Sequence, residues 1–289
     1  MRVVIDSNCL NSDELRMFLS VSANNKAVIT DYAWMEAYKH GSPESVARSF
    51  SVLGDFPEQV ILLKGTKAVG ALDARAPGIA NRMIVPRSVK EFTNTMKGLR
   101  QVSKGDFGVL AQIRDHQLAA QEQMAKVLAD ASGLIPIFSE NAKNLFSQDE
   151  ISRFRSGKSY SLQMGDTIFN AAEHMSRGFF QTPSRASRLP SRNSLVNAFL
   201  YRYALASVLY LLEWIRHGGQ SEINAEKIRN DLVDLNFAVY GSFFNGLMTS
   251  DAKLLRRHGE LRYVLRILGG RTPDEYLDSF LDELKAAAA

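Results

Sequence analysis

Short apolar runs of the kind found in buried parallel strands occur near both ends of this chain and almost vanish from its long middle. Near the amino end, such runs at 3–5, 27–29 and 60–63 alternate with helical patterns at 12–20 and 31–40. Strands that alternate with helices predict a parallel sheet, because each parallel crossover needs a connection long enough to hold a helix. The amino-terminal part of the chain therefore predicts an α/β fold.

The middle of the chain, residues 66–225, has a helical character instead. After it, a helix-spaced apolar pattern at 226–242 leads into a short apolar run at 246–251, so the α/β character returns. We therefore expect residues 1–65 and 226–289 to form one discontinuous, parallel-sheet domain of ordinary size. Residues 66–225 are then a large all-helical insertion that acts as a cap, a substrate-binding region or an oligomerisation region. Its long helical patterns lie at 89–102, 107–131, 165–177 and 195–216.

The composition is that of a globular protein and leaves several partners open. Of the residues, 45% are hydrophobic, and the formal net charge of +4 permits a nucleic-acid partner without requiring one. Cys9 is the single cysteine, so no internal disulfide forms, and Asp6 and Asn8 interrupt any apolar stretch that a secretory signal would need; both features favour the cytoplasm. The apolar segment 195–214 is long enough to cross a bilayer, but Arg202 within it favours a buried bundle helix, and we expect no membrane partner.

Four carboxylates lie at positions where a parallel α/β sheet commonly binds its ligands. Asp6 and Asp251 each follow an apolar run, whereas Glu36 and Asp234 lie in helical patterns, the latter one turn after Asp231. Each also has an ordinary structural explanation: a turn at the first, a helix N-cap at the second, and exposed helix surface for the others. Together, the acids predict a cluster at the carboxyl edge of the sheet, where a hard divalent cation such as Mg²⁺ or Mn²⁺ relieves their mutual repulsion.

Three segments that contain these acids resemble the signature segments of PIN-domain ribonucleases. The resemblance rests on "VVIDSN" at 3–8, "ITDYAWMEAYK" at 29–39 and "NDLVDLNFAVYGSFFNGLMTSDAKL" at 230–254, and it covers only the two ends of the chain. These segments are similar to the family's strand-end D-[ST]-N, helical Glu, helical Asp and strand-end T-x-D. The resemblance implies a parallel-sheet nuclease, and Asp234 is preferred to Asp231 as the helical acid because its separation from Asp251 resembles the family's spacing. The implied catalytic and metal-binding acids are Asp6, Glu36, Asp234 and Asp251, with Asp231 as a fifth metal-binding candidate.

Polar and basic residues around this predicted site are candidate substrate contacts. The resemblance implies that the polar residues beside the acids orient the carboxylates or a phosphate oxygen. Basic side chains in the Ser/Pro-rich loop 184–194 and in the segment 153–160, which also holds an aromatic ring, suit a single RNA strand. A solvated basic loop explains the same segments equally well. The candidate substrate-binding residues are Ser7, Asn8, Lys39, Thr249, Ser250, Arg185, Arg188, Arg192 and Arg256.

The leading interpretation is a metal-dependent endoribonuclease that hydrolyses RNA phosphodiester bonds with Mg²⁺ or Mn²⁺, with a toxin or a defence component as one setting for it. A structure-specific DNA nuclease on the same acids and a catalytically silent PIN-like scaffold that binds nucleic acid or protein are the alternatives. A haloacid-dehalogenase-type phosphatase is a weaker one, because it needs an aspartate where this chain has Asn8. The helical insertion offers a surface for a homodimer or a regulatory protein.

Overall fold

The computed structural model describes residues 1–39, 42–102, 114–115, 118–119, 121–122, 140, 144–156, 162–180, 190–218 and 225–277. Within these residues the chain forms a four-stranded, all-parallel sheet in the order β3-β2-β1-β4. This arrangement confirms the predicted α/β fold with a parallel sheet. The strands are β1 (Arg2–Ile5), β2 (Lys26–Ile29), β3 (Val60–Leu62) and β4 (Leu247–Met248).

The sheet brings the two ends of the chain together. Val4 of β1 pairs with Val28 of β2 on one side and with Leu247 of β4 on the other. β1, one of the two inner strands, is apolar almost throughout because helices cover both faces of a parallel sheet. Since the strands are parallel, Asp6 after β1 and Thr249 after β4 emerge at the same edge of the sheet.

Helices surround the sheet, and side-chain caps mark where the first two begin. The Ser12 hydroxyl accepts a hydrogen bond from the Leu15 amide at 3.1 Å, and the Thr30 hydroxyl accepts one from the Ala33 amide at 3.1 Å. The predicted helix at 107–131 lies mostly outside the described residues. The helices are α1 (Asp13–Val21), α2 (Asp31–Lys39), α3 (Pro43–Ser49), α4 (Ser51–Asp55), α5 (Thr66–Gly70), α6 (Ile79–Met83), α7 (Ser88–Val102), α8 (Gln148–Arg155), α9 (Leu162–Phe180), α10 (Arg192–Leu195), α11 (Phe199–Arg216), α12 (Ala225–Gly241) and α13 (Ala252–Ile267).

Most of the apolar segment 195–214 forms the buried helix α11, as the sequence predicts. This helix packs against α9, α12 and α13. Its Arg202 is 1% exposed and donates hydrogen bonds to the backbone oxygens of Ser242 and Arg271, so the buried guanidinium finds its partners inside the protein. In the part of the chain that the structure describes, no helix combines the length and the hydrophobicity that crossing a membrane requires.

The hydrophobic core runs from the sheet into the helical region. One connected cluster of buried residues includes Val4 and Val28 of the sheet, Ile168 of α9 and Leu205 of α11. The described parts of residues 66–225 form helices and one isolated bridge between Ile84 and the segment after β3. The domain boundaries at residues 65 and 225 stay a prediction.

The turn that leads into β4 requires glycine. Gly246 has a φ angle of +117°, and a Cβ atom at this position would overlap the carboxylate of Glu275. We expect Gly246→Ala to lower the free energy of unfolding by about 1–3 kcal/mol, measured by chemical denaturation. The control is Gly259→Ala on α13, where a Cβ atom would meet nothing within 4 Å. That change is expected to be neutral or stabilising, and equal effects at the two positions would contradict the prediction.

Candidate active site

Asp6 closes β1, and groups from two neighbouring strand ends hold its carboxylate. The Oδ1 atom accepts a hydrogen bond from the Ser7 amide at 2.7 Å, and the Oδ2 atom accepts one from the Thr249 hydroxyl at 2.7 Å. Asp6 is 5% exposed. Because Thr249 follows β4, these bonds fix the orientation of the carboxylate relative to both strands.

Asp251 lies beside Thr249, at the start of α13. Its Oδ1 atom accepts hydrogen bonds from the amides of Lys253 and Leu254 at 2.7 Å and 3.2 Å, so the N-cap explanation of this residue is confirmed. The Asp251 amide donates to the Thr249 hydroxyl oxygen at 3.0 Å, and that hydroxyl donates to Asp6. Since the cap uses one carboxylate oxygen, capping and a role in the site are compatible.

Glu36 lies half-buried on α2, beside the end of β1. It lines a groove of ≈ 410 Å³ together with Ser7, Asn8 and polar residues of α3. The Asn8 side-chain oxygen accepts a hydrogen bond from the Ser250 amide at 3.3 Å. Asn8 therefore links this groove to the strand end that carries Thr249.

Asp231 and Asp234 have different environments, although they lie one turn apart on α12. Asp231 is 6% exposed and accepts hydrogen bonds from the Tyr210 hydroxyl at 2.9 Å, the Lys253 ammonium at 2.7 Å and the Arg257 guanidinium at 2.9 Å. Burial acts to raise the pKa of Asp231, but the bonds and charges of Arg257 and Lys253 hold that pKa below its ordinary value. Asp234 is half-buried, and its Oδ2 atom lies 3.7 Å from the Arg257 Nη1 atom. The protein therefore neutralises Asp231 more completely than Asp234.

The pKa values of the acids show that they interact. Burial raises the pKa of Asp234 to about 7, and the charges of Asp231, Asp6 and Asp251 raise it as well, against the lowering effect of Arg257. Burial also raises the pKa of Asp6, with a smaller contribution from the charge of Asp251. Asp234 therefore lies close enough to Asp6 and Asp251 for their charges to act on it, as expected for acids gathered at one edge of a sheet.

Arg257 connects this group of acids with the helical region. Its Nε atom donates to a carboxylate oxygen of Glu213 on α11 at 2.6 Å, while its Nη1 atom donates to Asp231 at 2.9 Å. The guanidinium lies over the ring of Tyr210, 4.8 Å from the ring centroid. The neighbouring Arg256, a candidate substrate contact, is exposed and donates to the other oxygen of Glu213 at 2.6 Å.

The oxygen donors at this edge suit a hard cation, although they form no complete cage. Among the described residues, no three Asp, Glu, His or Cys side chains are grouped so that they hold a metal ion together. Mg²⁺ commonly uses one or two protein carboxylates, with water completing its coordination shell. Burial is the main cause of the raised pKa of Asp234, and the charges of Asp231, Asp6 and Asp251 add to it; a divalent cation would offset this added negative charge, so the residues fit such an ion.

The other candidate substrate contacts are described only in part. Lys39 ends α2 and Arg192 begins α10, and the structure describes their backbone alone. Arg185 and Arg188 lie outside the described residues. In the segment 153–160 only the first four residues are described, as the end of α8 and the residue after it.

Sequence analysis did not include two charged residues, Asp31 and Lys253, among the site candidates. Asp31 comes two residues after β2, whereas Asp6 directly follows β1, and this position near a strand end was a usable signal. The Asp31 carboxylate accepts hydrogen bonds from the Thr66 amide at 2.6 Å and the Thr66 hydroxyl at 2.9 Å, and burial raises its pKa. Lys253 gave no signal, because its bond to Asp231 depends on how α12 and α13 pack.

No protein-family model, curated protein or solved structure matches this chain. The fold and the candidate site therefore stand on the geometry described above.

Proposed function

We propose that this chain is a metal-dependent nuclease with PIN-like acids that hydrolyses phosphodiester bonds of single-stranded RNA. The observation that carries the proposal is the proximity of Asp6, Asp234 and Asp251, where burial first, and then the charges of Asp231, Asp6 and Asp251, raise the pKa of Asp234 to about 7. Acids in structural ion pairs are neutralised by neighbouring cations, as Asp231 is. Acids that repel one another at the carboxyl edge of a parallel sheet are typical of functional sites.

Each acid has a role in this proposal. Asp6, Asp234 and Asp251 are the residues that would hold Mg²⁺ or Mn²⁺. When bound, such an ion lowers the pKa of a coordinated water and offsets the charge of the phosphate. The Thr249 hydroxyl holds the Asp6 carboxylate in one orientation, which prepares this ligand in advance. Glu36, in the groove beside the end of β1, orients the attacking water or accepts its proton.

The polar groove supports a nucleic-acid strand as the substrate. Hydroxyl and amide groups of Ser7, Asn8, Ser45 and Ser49 line it together with Glu36. The Ser45 and Ser49 hydroxyls donate to the backbone oxygens of Ser42 and Ser45, so their oxygen atoms remain to accept hydrogen bonds from sugar hydroxyls, which carries no information on the sequence of bases. We favour RNA because its 2′-hydroxyl both donates and accepts hydrogen bonds, so it adds a partner for these side chains.

A silent scaffold that binds nucleic acid is the second candidate. It is favoured by the use of Asp251 as a helix cap and by the lack of a three-acid group among the described residues. A scaffold of this kind would bind RNA without cleaving it and would not need Mg²⁺ or Mn²⁺.

The test is a gel assay of end-labelled single-stranded RNA and DNA with purified protein, with Mg²⁺, with Mn²⁺ or with chelator. We expect RNA cleavage that requires the metal and falls by at least about 100-fold in Asp6→Asn and Asp234→Asn. The matched control is Asp166→Asn, the same change at an exposed aspartate of α9, which is expected to keep wild-type activity.

A thermal-shift titration with Mn²⁺ adds a readout that does not depend on activity. Binding to the folded protein raises its melting temperature, and the shift should be smaller in Asp234→Asn than in Asp166→Asn. If the protein bound RNA but neither cleaved it nor showed a metal-induced shift in melting temperature, the scaffold would be favoured. Preferential cleavage of DNA would identify DNA, rather than RNA, as the substrate.

A further inference from the structure

A second cavity, separate from the groove that contains Glu36, lies near the carboxyl ends of β2 and β3. Its volume is ≈ 820 Å³. This volume is within the range of small-molecule sites, roughly 300–1,000 Å³. The walls include residues 31–32, shortly after β2, and residues 65–68, shortly after β3, together with residues of α9, α11 and α12. Since open α/β sheets bind ligands outside the carboxyl ends of their strands, the cavity has both the size and the position of a ligand site.

The half-buried carboxylate of Asp31 lines this cavity, and only neutral groups bond it. Its oxygens accept hydrogen bonds from the Thr66 amide at 2.6 Å, the Thr66 hydroxyl at 2.9 Å and the Tyr32 amide at 3.2 Å. Among the residues that the structure describes, no cation forms an ion pair with Asp31. A Cβ atom at the exposed Gly65 would lie 3.6 Å from the Oδ2 atom, so glycine leaves this oxygen uncovered on that side. The wall therefore holds a negative charge in a fixed position without a partner cation.

Aromatic side chains form much of the remaining wall. Tyr32, Phe179, Phe199 and Tyr203 all line the cavity. Phe179 and Tyr203 are half-buried, and their ring centroids lie 6.2 Å apart with the planes tilted by 54°. Aromatic rings attract a cation to their faces, and they also cover the apolar body of a ligand. A carboxylate beside several aromatic rings is therefore suited to an organic ammonium ion, which carries both a positive charge and apolar groups.

Lys67 also lines the cavity, but it does not neutralise Asp31. Lys67 is exposed, and no ion pair joins its ammonium to the Asp31 carboxylate. A long lysine side chain can keep its charged end in water, so a ligand can occupy the space beside Asp31. Because like charges repel, Lys67 should oppose the binding of a cation weakly, whereas Asp31 should favour it. The two charged residues of the wall therefore have opposite expected effects on a cationic ligand.

We propose that this cavity binds a small organic ammonium ion. The charged group of the ligand lies beside Asp31, and its apolar body lies among the aromatic side chains. The inference goes beyond the proposed nuclease activity, because this binding needs neither a metal nor cleavage. The two sites are nevertheless neighbours, since α2 carries both Met35 of this cavity and Glu36.

The test is isothermal titration calorimetry of the full chain in chelating buffer at pH 8, which favours an ionised carboxylate. The probes are 2-phenylethylammonium, 2-phenylethanol and phenylacetate, which carry a positive, a zero and a negative charge on similar aromatic bodies. We expect the ammonium to bind at least about tenfold more tightly than the alcohol, and phenylacetate to bind least. Asp31→Asn should remove the preference for the ammonium, whereas Lys67→Ala should bind it as tightly as wild type or more tightly. Asp166→Asn, the same change as at Asp31 but at an exposed aspartate of α9, should bind like wild type.

A second variant tests the aromatic wall without changing a hydrogen bond of Asp31. Phe179→Leu keeps an apolar side chain but removes a ring, so it should weaken binding of the ammonium by about two- to fivefold and change binding of the alcohol less. Equal affinity for the three probes, tighter binding of phenylacetate, or no saturable binding of the ammonium by the wild type would overturn the proposal. Because Asp6 does not line this cavity, binding of the ammonium by Asp6→Asn separates failure of this proposal from failure of the nuclease.

Discussion

Arg257→Met is expected to lower the free energy of unfolding by about 3 kcal/mol at pH 7, because Glu213 and Asp231 lose the buried cation that they share and keep only the more exposed Arg256 and Lys253. Arg257 is 7% exposed and donates to both Glu213 and Asp231. Methionine keeps much of the side-chain volume, so the loss reports the charge more than a cavity. Urea denaturation followed by circular dichroism measures the effect.

The pH dependence of this loss has a definite sign. The pKa of Asp231 is lowered in the folded protein, so its ion pairs contribute stability above the unfolded pKa and lose that contribution as the pH falls. The difference between wild type and Arg257→Met should therefore shrink on acidification through about pH 4. Arg256→Met is the matched control, since this neighbouring arginine is 60% exposed and its pair with Glu213 is worth only about 0–1 kcal/mol. Losses of equal size in the two variants would contradict the explanation.

The sheet and the order of its acids could be predicted because the signals are local. A buried parallel strand must be apolar throughout, so the run at 3–5 identifies β1, and the first polar residue after it is Asp6. After β4 the first polar residue is Thr249, and Asp251 comes two residues later. The same search after β2 would have reached Thr30 and then Asp31.

The ion network and the burial of Asn236 could not be predicted, because both depend on packing between distant segments. Glu213 and Arg257 belong to patterns that, on their own, describe solvated helix surface. They become partners only because α11 packs against α13. Asn236 likewise looks like one more polar residue of α12, and it is buried in a fold in which α11 packs against α12.

Asp234→Asn is expected to abolish the proposed cleavage and to stabilise the fold at pH 8. The pKa of Asp234 is raised from 3.8 to about 7, so the folded protein keeps a proton that the unfolded chain has already released. The free energy of unfolding of the wild type therefore falls as the pH rises between these two values. Asparagine has no such proton, so we expect the variant to be more stable by about 2–4 kcal/mol at pH 8 and to match the wild type near pH 4.

Asp231→Asn, one turn away on the same helix, should show the opposite behaviour. Because the bonds of Arg257 and Lys253 outweigh burial and lower the pKa of Asp231, its ionised form stabilises the fold above about pH 4. This variant should be less stable than the wild type at pH 8 and should approach it on acidification. Denaturation of both variants at pH 4.5 and pH 8 is the measurement. If both changes destabilised the fold at pH 8, Asp234 would be an ordinary paired carboxylate rather than one whose ionised form burial and neighbouring charges make unfavourable.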